Sequence, residues 1–281
     1  HAQDNSAEQN QTGADNIVEV TQTGGQDNIS YQAQTGASND GMVTQTQATM
    51  ADAVQTQTGD LNRADIVQSS TVQSEAIQLQ SGDNHDASIV QSDSTGATAR
   101  QYQEGSFNTA YTEQTAADLS TAVIDQDGSD NFAESIQSNT ELSVSEQRQI
   151  GNDNVSLGWQ ENGARNDGLV NQEGNGNDAT VYQMNVSDSV ADIDQQGDLQ
   201  VASVTQEGAE HSAEIRSNGL QNEAYIDQSG SLQTASIYQD GTANSADIFQ
   251  VGDSNTASTE QTGNNNYAIV DQDGSMMTAS L

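Results

Sequence analysis

The sequence contains no cysteine, no proline and no lysine. Without cysteine, neither a disulfide framework nor a thiolate metal site can form. Without proline, no backbone donor is given up, which suits a chain whose N–H groups enter ladder hydrogen bonds. The basic residues are Arg63, Arg100, Arg148, Arg165 and Arg216, set against 42 acidic residues for a net charge of −37. A surface of that sign repels nucleic acid and anionic lipid, so neither is expected as a partner. No apolar run approaches the roughly 20 residues of a membrane-spanning helix, so no membrane insertion is expected. Hydrophobic residues make up 32% of the chain and aromatics 4%, a balance that by itself points to disorder. The chain begins with His1, as removal of a secretory leader or a trimmed start would leave it.

A strict repeat overrules the disorder reading, because stacked copies share a core that no copy builds alone. Glutamine stands at Gln11, Gln22, Gln34, Gln45, Gln57, Gln68, Gln80, Gln91, Gln103, Gln114, Gln126, Gln137, Gln149, Gln160, Gln172, Gln183 and Gln195, with gaps alternating between 11 and 12 residues. It continues at Gln206, Gln228, Gln239, Gln250, Gln261 and Gln272 on a uniform spacing of 11, with Ser217 in the one slot that departs. The period is thus 23 residues, then 22. Three stretches follow: a short N-terminal extension with a partial repeat at 1–10, a solenoid of 11+12 repeats at 11–194, and a continuous solenoid of 11+11 repeats at 195–281.

Glycine accompanies the shorter gap. Two residues after each anchor that opens an 11-residue unit stand Gly13, Gly36, Gly59, Gly82, Gly105, Gly128, Gly151, Gly174, Gly197, Gly208, Gly219, Gly230, Gly241, Gly252, Gly263 and Gly274. Among the 12-residue units only Gly24 holds that place. A tight corner requires positive φ, which glycine supplies, and the extra residue is expected to let the chain turn by a wider path without it.

Four residues before the next anchor the chain carries alanine or another small residue, as at Ala64, Ala87, Ala110 and Ala246, and two residues on an Ile or Val such as Ile66, Ile89 or Ile248. Ala-x-Ile-x-Gln alternates with period two, the pattern of a strand with those side chains on one face. Two such strand-turn units per period make one coil of an all-β, amyloid-like β-solenoid, each strand pairing with its counterpart one coil on at about 4.8 Å. The anchors give about 12 coils and a stack roughly 55–60 Å tall. A buried primary amide is costly unless its donors and acceptor are used. Identical glutamines one coil apart can satisfy one another, so the anchors are expected to form amide ladders that fix the register. Gln32, Gln55, Gln78, Gln101 and Gln147 replace the Ile-type residue and are expected to extend the ladder. Asn16, Asn39, Asn62, Asn108, Asn131, Asn154 and Asn177, five after their anchors, read either as a second ladder or as simple turn residues.

The motif Gln-x-Gly-x-x-Asn-x-Ala-x-x-x-Gln, at 57–68, 103–114, 126–137 and 239–250, resembles the curlin repeat of bacterial curli fibres, and the resemblance covers about residues 6–281. It implies a secreted protein that polymerises into an extracellular functional amyloid of the biofilm matrix, exported through an outer-membrane pore and nucleated by a related subunit. The chain departs from the family in having about twice the usual number of repeats, a more acidic face, and no separate export-targeting segment within residues 1–10. The repeats run to Leu281 with no capping segment, from which end coils open to head-to-tail β-augmentation by another copy are expected.

Sharper site readings are weaker. His85 and His211 occupy the corner slot usually held by Asn and read as turn residues, not as bases or ligands. Asp127, Asp153 and Asp273 leave open a Ca²⁺ between acidic columns; no other cofactor is implied. Tyr102, Trp159, Tyr182, Tyr238 and Phe249 precede anchors and are expected to face out, where they suit lateral contacts or carbohydrate adhesion. Paired threonines at Thr21 and Thr23, Thr44 and Thr46, and Thr56 and Thr58 suggest a rival, a monomeric surface- or ice-binding solenoid. Gaps of 11 or 12 residues leave no loop to build a catalytic cleft, so no enzyme is expected.

Overall fold

The computed structural model describes residues 4–281. Its regular elements are 25 β-strands, from Ser6–Ala14 to Thr278–Ser280, and no helix occurs among the described residues. The chain divides into two compact units, His1–Leu142 and Ser143–Leu281. Within each, successive strands alternate between two sheets, and every strand pairs in parallel with the strand two along in sequence. Each unit is therefore a β-solenoid with two strands per coil, and the two units together hold about 12 coils.

In the first unit Ser6–Ala14 pairs with Ile29–Ala37 and Ile17–Thr23 with Asp40–Thr46, placing Gln11 against Gln34 and Gln22 against Gln45. The first strand begins at Ser6; residues 1–3 of the N-terminal extension lie outside the described residues. The second unit contains the change of period. There Asp178–Ser187 pairs with Val201–Ala209 through a bulge between Met184 and Val186. Asn185, in the left-handed region at φ 53°, is the extra residue of the last 12-residue corner, so the period shortens without loss of register.

Inside each coil Ala, Ile or Val, and Gln point inward and the residues between them outward, as in Asp86–Ser92 and Ser245–Asp253. The buried apolar residues of the second unit form one continuous cluster from Val170 to Val270. In the first unit amides interrupt the aliphatic column, leaving smaller clusters around Val43, Ile66 and Ile89 and around Ile124. Most of the buried residues are polar, with glutamine and asparagine prominent among them, so ordered hydrogen bonds must carry what apolar burial does not.

The corners correct one expectation. The wider 12-residue corners do not avoid positive φ: they use it at the second and fifth residues after the anchor, as at Gln47 and Met50 (φ 54° and 52°) and at Ala116 and Leu119 (50° and 51°). These values lie in the left-handed well that any L-residue can enter at modest cost. The 11-residue corner instead drives its glycine to φ between 107° and 143°, a region open essentially to glycine alone. Space imposes the same choice, since a Cβ on Gly105 would lie 2.0 Å from the carbonyl oxygen of Gly128 one coil on. The added residue thus changes which positive-φ well the second residue after the anchor uses.

Candidate functional site: stacked amide columns

Within each unit the anchor side chains point inward from their strands and lie between the sheets, most of them beside the anchor of an adjacent coil. In the first unit Gln11, Gln34, Gln57, Gln80, Gln103 and Gln126 form one column, each Nε2 donating to the Oε1 one coil on at 2.7–3.0 Å. Gln22, Gln45, Gln68, Gln91, Gln114 and Gln137 form the other, at 2.8–2.9 Å. In the second unit Gln149, Gln172 and Gln195 are linked at 2.9–3.0 Å, as are Gln239 and Gln261 at 3.0 Å. The opposite column there, Gln160, Gln183, Gln206, Gln228, Gln250 and Gln272, is unbroken at 2.8–3.0 Å.

Every bond in these columns runs in one sense, from the Nε2 of one coil to the Oε1 of the next towards the C-terminus. The second Nε2 hydrogen serves the facing sheet: Gln34 donates to the carbonyl of Ile17 at 2.8 Å, and Gln57 to that of Asp40 at 3.1 Å. One amide therefore ties coil to coil and sheet to sheet, and all its polar valences are used. A third column, Gln9, Gln32, Gln55, Gln78 and Gln101, runs through the first unit at 2.6–3.4 Å. It ends where Gln101 donates to Thr112 Oγ1 at 3.0 Å, because the next coil places Ile124 in register with Gln101.

Ser217 interrupts the second unit's column. It lies in register with Gln195 and Gln239, and it is buried. Neither its Oγ nor Gln239 Oε1 has a hydrogen-bond partner.

The asparagine slot bonds mainly to backbone. Asn39 Oδ1 accepts the N–H of Asn62 at 3.0 Å, and Asn39 Nδ2 donates to the carbonyl of Gly59 at 2.7 Å. Asn177 repeats this with Gln200 and Gly197 at 3.0 and 2.8 Å. The side chain clamps the glycine corner of the next coil, which explains its place five residues after the anchor. His85 and His211 occupy the same slot, buried, with Nε2 against the carbonyls of Ser81 and Glu207 at 3.3 and 3.0 Å. Burial holds both imidazoles below the ordinary value, against the pull of those carbonyls. At wide corners the equivalent buried residue is the sixth after the anchor, for example Asn28, whose Oδ1 accepts the N–H of Ala51 at 3.1 Å. Mixed Asn, Ser and Ala at that position hid this column in the sequence.

The outer faces are polar and acidic. Arg63, Arg100, Arg165 and Arg216 pair with Asp65, Glu75, Asp188 and Glu214, and Arg148 donates to Asn171. Burial raises the carboxyls of Asp52, Asp65, Asp167, Asp178, Asp192, Asp227 and Asp247. No group of three His, Asp or Glu converges as metal ligands among the described residues, Asp127, Asp153 and Asp273 included. Thr21 stacks on Thr44, but Val67 follows, and Thr56 lies in the other sheet between Ala33 and Leu79. Thr23 stacks on Thr46 before Ser69 follows, and Thr58 stacks on Thr35 and Thr12 before Ser81 follows, so the threonine columns last two or three coils. Trp159 and Tyr182 pack edge to face at 5.4 Å on the outer surface.

The family model of the curlin associated repeat matches residues 187–219 and 241–274. Both stretches lie in the second unit and include narrow, glycine-cornered coils. No curated protein matches the chain.

Proposed function

Because residues 187–219 and 241–274 match the curlin associated repeat, we propose that this chain is the structural subunit of an extracellular curli-like amyloid filament, serving biofilm matrix and adhesion. Subunits join head to tail by β-augmentation, and the partner is another copy of the chain. A related nucleator and an outer-membrane export pore are its expected further partners. The observation that carries this reading is the uniform sense of the amide columns. A coil offers Nε2 donors on one side and Oε1 acceptors on the other, in the spacing that the next coil requires. Any exposed coil face is therefore complementary to the opposite face of a second copy. Most of the interior glutamine amides are engaged in coil-to-coil bonding.

The test is dilution of the full chain from denaturant at neutral pH, followed by negative-stain microscopy and fibre diffraction. Filaments with a meridional spacing of about 4.8 Å are expected. Homogeneous particles after prolonged incubation at high concentration would overturn the reading, and thermal hysteresis in their absence would favour the ice-binding alternative.

A further inference from the structure

The outer face of the second unit carries a groove of about 360 Å³ lined by Ser203, Thr205, Tyr225, Asp227, Asp247 and Phe249 above the core residue Ile226. Pairing between coils sets Tyr225 against Asp247 and Asp227 against Phe249. Tyr225 and Asp227 are two apart on one strand, and so are Asp247 and Phe249 on the next, so each pair shares the outward face. The four side chains form a square with the rings on one diagonal and the carboxylates on the other. With about 4.8 Å between coils and about 6.6 Å between alternate residues, the diagonals are about 8 Å.

Three observations distinguish this square from the acidic surface around it. Tyr225 and Phe249 make no ring contact with each other, unlike Trp159 and Tyr182 on the same sheet, which fill the space between them. Tyr225 and Phe249 are each about two-fifths exposed. Neither Asp227 nor Asp247 has a hydrogen bond or ion pair among the described residues, although both are partly withdrawn from water. No arginine lies on the three strands Val201–Ala209, Glu223–Ser231 and Ser245–Asp253 that supply the groove. The charges acting on the two carboxyls are those of Glu207 and Glu223, both negative.

We propose that this groove binds an alkylammonium group, held between the rings of Tyr225 and Phe249 and neutralised by Asp227 and Asp247. The centre of the square lies about 4 Å from each backbone corner, so side chains leaning in from all four corners can reach a cation held above it, where a ring centroid within about 6 Å attracts it. The same position compensates two carboxylates that the chain leaves unpaired, Asp247 half-buried and Asp227 more open. The chain has no lysine, so the ammonium comes from another molecule, either a free amine or the lysine side chain of a partner. A neutral sugar would stack on one ring but would leave both charges uncompensated.

The test uses the folded full chain titrated with butylammonium chloride at constant ionic strength and read by saturation transfer to the ligand methyl group. Parallel titrations use N-acetyl-lysine methylamide and cellotetraose. Saturable binding of both ammonium compounds is expected, weakened at least tenfold by Phe249→Ala and by Asp247→Asn and unchanged by Trp159→Ala. All three positions face outward, and an unaltered β-sheet circular dichroism spectrum verifies that each variant is folded. The relative affinity of the two ammonium probes distinguishes a free amine from a lysine side chain as the better-fitting source. Unsaturable transfer, equal binding by parent and variants, or saturation by cellotetraose alone would each overturn the proposal.

Discussion

Ser217 offers the sharpest test of the amide columns, because it predicts a gain of stability from a single buried polar substitution. In Ser217→Gln, the new side chain would accept from Gln195 Nε2 and donate to Gln239 Oε1, an atom that now has no partner. Two restored amide hydrogen bonds contribute about 1 kcal/mol each, and satisfying the buried oxygen removes a penalty of about 1–3 kcal/mol. Ordering a glutamine side chain opposes this by up to about 2 kcal/mol. The expected net gain is about 1–3 kcal/mol. The mirror substitution, Gln206→Ser, opens the same gap in the intact column and should cost about 2–4 kcal/mol. Unfolding of a repeat array need not be two-state, so the readout should be local. Amide hydrogen exchange across Ser212–Leu220 should slow by about five- to a hundredfold in Ser217→Gln, with 1.4 kcal/mol per factor of ten. Unchanged or faster exchange there, with the sheets otherwise intact, would refute the claim that the columns are a principal source of coil cohesion.

Further predictions concern corners, charge and pH. Gly105→Ala combines a φ of 108° with a Cβ 2.0 Å from the next coil's carbonyl and should cost more than about 3 kcal/mol, measured by urea denaturation. Ala116→Gly, at φ 50° in a wide corner, should instead be neutral or stabilising by up to about 1 kcal/mol. Raising ionic strength should shorten the assembly lag, because a Debye length falling from about 8 Å to about 3 Å screens like charges on successive coils; a salt-independent lag in thioflavin assays would contradict this. The raised Asp carboxyls bind more protons folded than unfolded, so their contribution to stability grows as pH falls through their folded values and is complete below the ordinary 3.8. His85 and His211 act oppositely: the unfolded chain protonates first, so stability is lost as pH falls below 6.5 towards their lower folded values. Replacing both by Asn should therefore leave stability near pH 8 little changed and raise it at pH 5, as followed by denaturation at each pH.

Much of the fold was legible because a coil is a short-range object. The spacing of the anchors, the Ala-x-Ile-x-Gln alternation and the glycines of the narrow corners are local patterns, and parallel pairing one coil apart follows from them without long-range topology. The wide corners were misread because their left-handed residues, among them Gln47, Met50, Ala116 and Leu119, share no chemistry. The φ values of 50–54° at these four residues admit almost any side chain, so the backbone requirement leaves no signature. The clamp made by Asn39 or Asn177 was ambiguous for another reason. A sequence shows that an amide is required but not whether its partner is a side chain or the backbone of the next coil.

The sequence by itself determined that the chain repeats, which residues point inward and where the period changes, since each of these is set by spacing along one strand. The tertiary structure decided what spacing cannot encode: the single sense of the amide columns, the bulge at Asn185 that absorbs the lost residue, the interruption at Ser217, and the square of two rings and two carboxylates over Ile226. These depend on which side chains come to lie 22 or 23 residues apart on adjacent coils, and on how atoms there share a few ångströms of space.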